Sequence, residues 1–426
     1  MNLQGTVVPR WPKRLTVMLL CFLATFVCFL DRVNMSVAAI AMQEEFGWSE
    51  TTKGLVLSSF FVGYLIFQVP SGWLTSRFGG RHVMAIAIIW WSAFTILTPL
   101  AAAISLPLLM VARIGMGLGE AATFPAAYYL GARWFLPAER SRFVGVLLTG
   151  IPAGTLFALL TTGSLIRAWG WQSVFFAFGT FGLVICALWF TLIRNSPAEH
   201  PRISPAERAL LTHMEGKGED RRRSTPWKEL LSQPPVWALV LNHFCSNWIL
   251  YVLLTWLPSY FMQTQKLNIV SAGLYSAAPW LSMVVTGNLA TTLADRMVRR
   301  GFDVTLVRKL FQLIALIGAA AALLTVRGVT DSGHALLLMC AALGFLGLTW
   351  AGFSPNHLEI APRHADVLVG LSNTAGTIPG AIGVAVTGWL VDRTGSFDSP
   401  FFAAACIGAA GALIWLCFAT GKRIVD

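Results

Sequence analysis

Apolar residues are gathered along this chain into twelve long stretches, separated by short polar segments. The stretches run at about 15–41, 52–75, 82–103, 106–130, 142–167, 171–193, 235–263, 270–294, 306–327, 333–358, 366–392 and 399–420. About 20 apolar residues in helical form cross a ~30 Å hydrocarbon layer. In such a layer every backbone N–H and C=O must find its partner within the segment, so each stretch predicts a membrane-spanning helix. The first stretch is too long for the apolar part of a secretory signal and lacks a small-residue cleavage site, so it is expected to be retained. One polar segment, 194–234, is far longer than the rest. It carries Pro197, Pro201, Pro205, Pro226, Pro234 and Pro235 and the run Arg221-Arg222-Arg223. The expected fold is therefore an all-α membrane protein of two six-helix bundles, 1–193 and 235–426, joined by a cytoplasmic connector at 194–234. Ser204-Pro205-Ala206-Glu207 opens a short surface helix within that connector.

Composition agrees with this pattern. Of 426 residues, 56% are hydrophobic and only 12% charged, where soluble domains carry about 25% charged residues. A water-soluble globule and a disordered chain are excluded. The net charge of +11 does not form a nucleic-acid footprint, because the basic residues sit in short loops. With both termini on the same side, 24 of the 31 Lys and Arg fall on that side, 5 fall in outer loops (Lys53, Arg167, Lys266, Arg327 and Arg393), and Arg32 and Arg113 fall within spans. An excess of this size marks the cytoplasmic side. The seven cysteines all lie in apolar stretches and form no C-x-x-C pair. They are expected to be buried free thiols, with no metal site and no cofactor.

The two halves echo one another. Gly163-Ser-Leu-Ile-Arg167-Ala-Trp-Gly170 closes the fifth stretch, and Gly388-Trp-Leu-Val-Asp392-Arg-Thr-Gly395 closes the eleventh. Arg77 and Arg81 follow the second stretch, and Asp295, Arg296, Arg299 and Arg300 follow the eighth. Weak internal symmetry between two six-helix halves points to a transporter with a central site.

The sharpest chemical signal is four charges inside spans: Asp31 and Arg32 in the first, Arg113 and Glu120 in the fourth. A charge in hydrocarbon costs several kcal/mol unless it faces a cavity or a partner. Arg113 and Glu120 stand seven residues apart, about 20° from one helix face and ~10 Å along it. Two arginines make a clamp for a carboxylate or phosphate, because the guanidinium fork is bidentate and stays charged. Two nearby acids can take up or release protons as an arginine leaves or returns. Substrate and acid would then compete for one arginine.

The loop Gly72-Trp-Leu-Thr-Ser76-Arg77-Phe-Gly79-Gly-Arg81 resembles the G-x-x-x-D-R-x-G-R signature of the major facilitator superfamily, with Ser76 where the acid is expected. Asp31-Arg32-Val-Asn34-Met-Ser36, Ser59-Phe-Phe-Val-Gly63-Tyr64, Arg113-Ile-Gly-Met-Gly-Leu-Gly-Glu120 and Asn356-His-Leu-Glu-Ile-Ala-Pro-Arg363 resemble the anion:cation symporter branch of that superfamily. The resemblance implies that Arg32 and Arg113 engage the anion and that Glu120 and Asp31 are proton-linked. It implies that Tyr64, Tyr251 and Asn373 line the cavity, and that Arg77, Arg81, Asp295 and Arg296 take part in gating. His357 and Arg363 are expected to be gating or structural, and His243 to satisfy a local hydrogen bond. Leu57 and Ser246 stand where vesicular glutamate transporters carry histidine and arginine, which argues against that role.

The expected function is proton-coupled symport of a small organic anion, such as a sugar acid, by alternating access. Inorganic phosphate uptake and proton-exchange efflux are the alternatives. A membrane enzyme is not expected, since no H-E-x-x-H, paired cysteines or clustered histidines occur. The expected partners are the anion, protons and the bilayer, for a monomer that binds no nucleic acid. Nothing resembles a transit peptide, so the expected location is a bacterial inner membrane.

Overall fold

The computed structural model describes residues 11–212 and 226–425. The Arg221-Arg222-Arg223 run lies outside the described residues. Among the described residues there is no strand, and twelve helices are long and apolar enough to cross a membrane. They are α1 (Lys13–Phe46), α2 (Glu50–Phe78), α3 (Gly80–Ile104), α4 (Leu106–Trp134), α5 (Pro137–Trp169), α6 (Gln172–Leu192), α7 (Pro234–Gln263), α8 (Ile269–Arg299), α9 (Val304–Thr325), α10 (Ser332–Trp350), α11 (Ala365–Thr394) and α12 (Asp398–Phe418). Each falls on one of the twelve apolar stretches. Several outrun their stretch by a turn or more, because polar residues at a helix end cost nothing where the chain meets water.

The chain forms two compact units. The first holds Met1–Arg32, Val62–Ala158 and Gln172–Arg223; the second holds Val33–Phe61, Leu159–Trp171 and Ser224–Asp426. In the first unit α3 packs on α4 and α6. In the second, α7 packs on α11 and α12, α8 on α10, and α9 on α10 and α12. Hydrocarbon gives helices no hydrophobic reason to associate, so close backbone approach through small residues does much of the work. At Gly150 and Gly154 of α5 an added Cβ would meet α1: Phe22 O at 2.8 Å and Thr25 Cβ at 2.9 Å for the first, Phe26 O for the second. Gly154→Leu is therefore expected to overpack this crossing, at about 1–3 kcal/mol. Purified protein should melt several degrees lower. Gly145→Leu, placed in open space on the same helix, should leave the melting temperature unchanged.

The echo between the halves has a physical counterpart within the second unit. An added Cβ at Gly163 would meet Ile269 O at 2.8 Å, at the start of α8, and one at Gly388 would meet Glu50 O, at the start of α2. The later glycines, Gly170 and Gly395, have φ of 79° and 66°, a left-handed turn that ends each helix without a Cβ penalty. Asp392 then caps α2: its carboxylate oxygens accept the Glu50 N–H at 2.8 Å and the Thr51 N–H at 2.6 Å.

Lys53, read from sequence as an outer loop residue, lies in α2 and is fully buried. Its ammonium donates to Gln43 Oε1 at 2.7 Å, pairs with Glu50 Oε2 at 2.7 Å and sits 5.0 Å from the Trp256 ring. Gln263 Nε2 donates to the other Glu50 oxygen at 2.7 Å. A lysine is tolerated here because a carboxylate, an amide and a π face meet its ammonium.

The start of the connector is more ordered than a solvated loop. Glu207, in the short helix Pro205–Thr212, accepts the backbone N–H groups of Lys13 and Arg14 at 2.9 and 3.0 Å, capping α1. Asn195 Oδ1 accepts the Arg81 N–H at 2.9 Å at the start of α3. His200 packs edge-on against Trp134. Burial, with the charges of Lys13 and Arg194 adding to it, lowers its proton affinity below the usual imidazole range.

The cysteines are free, but not all are buried. Cys21, Cys28, Cys186 and Cys245 are buried, Cys340 is intermediate, and Cys406 and Cys417 on α12 are exposed. An apolar stretch in a membrane helix has a lipid-facing side as well as a packed one, so apolar context alone does not imply burial within the protein.

Candidate functional site

Two features of α4 shape the site. The helix runs from Leu106 to Glu120, turns at Ala121 and Ala122, and resumes from Thr123 to Trp134. Pro125 explains the break: it has no N–H, and its ring excludes the helical position of the carbonyl four residues earlier, at Ala121. That carbonyl accepts instead from the Ser71 hydroxyl of α2 at 3.1 Å. Glu120 is thereby the last residue of a half-helix, buried within the first unit. At Gly63 of α2, an added Cβ would meet the Ile114 backbone, so α2 lies directly against the segment that carries Arg113 and Glu120.

All four intramembrane charges are buried: Asp31 is 1% exposed, Arg32 7%, Arg113 2% and Glu120 0%. Arg32 Nη2 pairs with Glu120 Oε2 at 3.1 Å. The Arg32 guanidinium lies over two rings, 4.6 Å from the Phe29 centroid and 4.9 Å from that of Tyr64. These faces hold the cation by its quadrupole attraction while leaving its N–H edge for anions. Arg113 Nη1 reaches the Met116 sulfur at 2.9 Å. Arg113 is near enough to Asp31, Glu120 and Arg32 for their charges to act on it. Neither oxygen of the Asp31 carboxylate, nor Oε1 of Glu120, has a hydrogen-bond partner among the described residues. The site is thus two guanidinium groups and two carboxylates in one buried cluster, with carboxylate oxygens left over. Breaking a buried pair by removing one member costs about 3–5 kcal/mol.

The cluster gathers Asp31, Arg32, Tyr64, Arg113 and Glu120 in the first unit. Tyr251 and Asn373 lie in the second. The Tyr251 ring stands 4.7 Å from Phe61, and Asn373 is half-buried on α11. Of the gating candidates, Arg77 is exposed and lies over its own helix's Trp73 and Phe78 at 5.6 and 5.8 Å. Arg81 Nη2 donates to Phe190 O at 3.1 Å, near the C-terminus of α6, where a cation complements the helix dipole. Asp295 and Arg296 are exposed at the end of α8.

His357 takes hydrogen bonds at both ring nitrogens, with Ser354 O at 2.9 Å and Ser372 Oγ at 2.8 Å. His243 departs from expectation. Its Nδ1 has no partner among the described residues, and its ring packs against Phe353. Sequence reasoning missed Phe29, Cys28 and the pair Arg308–Glu359, 2.6 Å apart in the second unit. Phe29 and Cys28 were accessible in principle, standing three and four residues before Arg32 on the same helix face. The Arg308–Glu359 pair joins residues 51 apart in sequence and carries no local signal.

Comparison with known proteins places this chain in a family. The profile of the Major Facilitator Superfamily matches residues 21–384. The sodium-dependent phosphate transport protein 1, chloroplastic, of Arabidopsis thaliana is 41% identical over 99% of this chain and 82% of its own length. The chloroplastic ascorbate transporter of the same plant is 41% identical over 100% of this chain and 79% of its own. Among solved structures, a bacterial homologue of the human lysosomal transporter Spinster, inward-facing and occupied, superposes with a TM-score of 0.76 at 19% identity, covering 97% of both chains. Both plant relatives are named as chloroplast proteins, and the expectation of a bacterial inner membrane finds no support in them. What the twelve spans and these likenesses establish is a multi-pass integral membrane protein, a transporter rather than an enzyme, and the chain belongs to the Major Facilitator Superfamily.

Proposed function

We propose that this chain is a proton-coupled symporter of a small organic anion, a sugar acid or another carboxylate. The observation that carries the reading is the buried Arg32–Glu120 pair at 3.1 Å, with Asp31 and Arg113 close enough to share its field. In the resting state Glu120 occupies Arg32. A proton arriving at Glu120 neutralises it and weakens its hold on Arg32. Arg32 and Arg113 then grip the substrate carboxylate with their N–H edges, while Tyr64 and Phe29 keep the Arg32 plane fixed. Asp31 takes part in the same exchange of charge. The loaded cluster carries less net charge than the anion alone would bring, which lowers the barrier to reorientation across the membrane. Residues 1–193 and 235–426 serve as the two moving halves, with 194–234 joining them. Tyr251 and Asn373 are the candidate substrate-contact residues of the second unit, and Arg77 and Arg81 of the first and Asp295 and Arg296 of the second are the gating residues. The working unit is a monomer with both ends on the arginine-rich face.

A second reading is inorganic phosphate uptake. The name of the 41% identical phosphate transport protein favours it, as the ascorbate relative favours an organic anion. A double-arginine clamp suits either ligand. Proteoliposomes holding the purified chain separate the two readings. Labelled ascorbate, gluconate and inorganic phosphate are offered under an inward proton gradient, and again under an inward sodium gradient. Accumulation of ascorbate or gluconate driven by the proton gradient is the expected result. Accumulation of phosphate alone, driven by sodium, would replace this reading with the second.

A further inference from the structure

Glu120 is held by more than its arginine. The Cys28 thiol donates to Glu120 Oε2 at 3.1 Å, the same oxygen that Arg32 Nη2 reaches at 3.1 Å. Cys28 and Arg32 are four residues apart on α1, so they share a helix face, and Arg32 Nη2 lies 3.8 Å from the Cys28 sulfur. Cys28 is fully buried. Both donors therefore converge on one carboxylate oxygen, and Oε1 has no hydrogen-bond partner among the described residues.

We propose that Cys28 is a positioning residue for proton coupling: its thiol keeps hold of Glu120 while Arg32 moves to the substrate. This inference rests on the proton-symport reading above and adds a part to it. The chemistry follows from what each donor loses when a proton arrives. The Arg32 contact is charge-assisted, so neutralising the acid removes most of its strength. The Cys28 contact is a weak neutral S–H donor, so it changes little. The proton adds to Oε1, the oxygen with room for it, and Oε2 becomes the carbonyl oxygen that the thiol still meets. No covalent bond forms or breaks apart from the transferred O–H. With Glu120 tethered at Oε2, Arg32 can leave for the anion and return to the same place. The charged and titratable groups around Glu120 are Arg32, Asp31 and Cys28 from α1 and Arg113 from its own helix, while Tyr64 of α2 covers Arg32.

The test needs no transported ligand. Infrared difference spectra of the purified chain in lipid, recorded across a pH titration, show the C=O stretch of a carboxylic acid as it gains its proton. The band belonging to Glu120 is the one that Glu120→Gln removes. In Cys28→Ala that band should move to higher frequency, as for a less hydrogen-bonded carbonyl. Its midpoint should shift to the alkaline side by only about 0.3 pH unit, because the donor that is gone favours the carboxylate only slightly over the acid. Cys28→Ser, with a stronger O–H donor in nearly the same volume, should shift both the opposite way. A Glu120 band unchanged in frequency and midpoint in both variants would overturn the role of Cys28 and leave the proton-coupling reading standing. A wild-type spectrum with no titrating band removed by Glu120→Gln would instead overturn that reading, and Cys28 with it.

Discussion

Arg113→Lys is expected to lower anion uptake by about 100-fold or more while the chain still folds and inserts. Truncating or mismatching one partner of a buried, hydrogen-bonded charge pair costs about 2–5 kcal/mol. Each 1.4 kcal/mol is about a factor of ten. Arg113 is 2% exposed, so its interaction with an anion would have no water to soften it. Lysine keeps the positive charge that Asp31 and Glu120 face, and that retained charge should spare the fold. It loses the planar fork that grips two oxygens at once. Initial rates of ascorbate and gluconate uptake into proteoliposomes measure the loss. Arg113→Met separates the two contributions: it removes the charge as well, and should also lower the melting temperature by several degrees. Wild-type uptake in Arg113→Lys would show that Arg113 is not part of the clamp.

Glu120→Gln should lose uphill accumulation entirely and reach no more than equilibration, yet still exchange labelled for unlabelled anion. The amide mimics the protonated acid in shape and in charge. Arg32 is then free for substrate at every pH, so binding persists, but the site has no proton to carry with the anion. Counterflow, which asks only that the loaded protein cross and return, should survive at a rate similar to the parent. Its pH dependence should flatten, because the titrating group that gates Arg32 is absent. Accumulation that survives intact in Glu120→Gln would mean that the proton binds elsewhere, and Asp31→Asn would then be the variant to examine.

The membrane fold was readable because its cause is local. Each span is a run of apolar residues, and no neighbouring segment is needed to recognise it. The alternation of arginine-rich and arginine-poor loops then fixed the count. The charged site was readable for the same reason turned round: Asp31, Arg32, Arg113 and Glu120 are expensive where they stand, and expense shows in a single sequence. What stayed hidden depends on partners distant in the chain. The spacing of Arg113 and Glu120 put them on one face of α4, but the pair that forms joins Glu120 to Arg32 across 88 residues. The break at Ala121–Ala122 was available in Pro125 and the glycines before it, yet a proline near a half-helix start looks much like one in a kink. Lys53 was misread because charge at the edge of an apolar run usually means a loop. Here Gln43, Glu50 and Trp256 bury it, and Trp256 is 203 residues away. The glycine pairs at 163/170 and 388/395 were visible as a repeat, but their meaning, a close crossing followed by a left-handed stop, needed coordinates.

The central claim is that anion and carboxylate exchange places at Arg32, so that anion binding and proton uptake are one event. The direct measurement is the number of protons taken up when purified protein in weakly buffered solution binds ascorbate or gluconate, read with a pH indicator beside the binding isotherm. Proton uptake that rises with occupancy in the wild type and is absent in Glu120→Gln, with an apparent affinity that falls as pH rises, is the expected result. Binding of either anion with no proton uptake, at an affinity independent of pH, would contradict it.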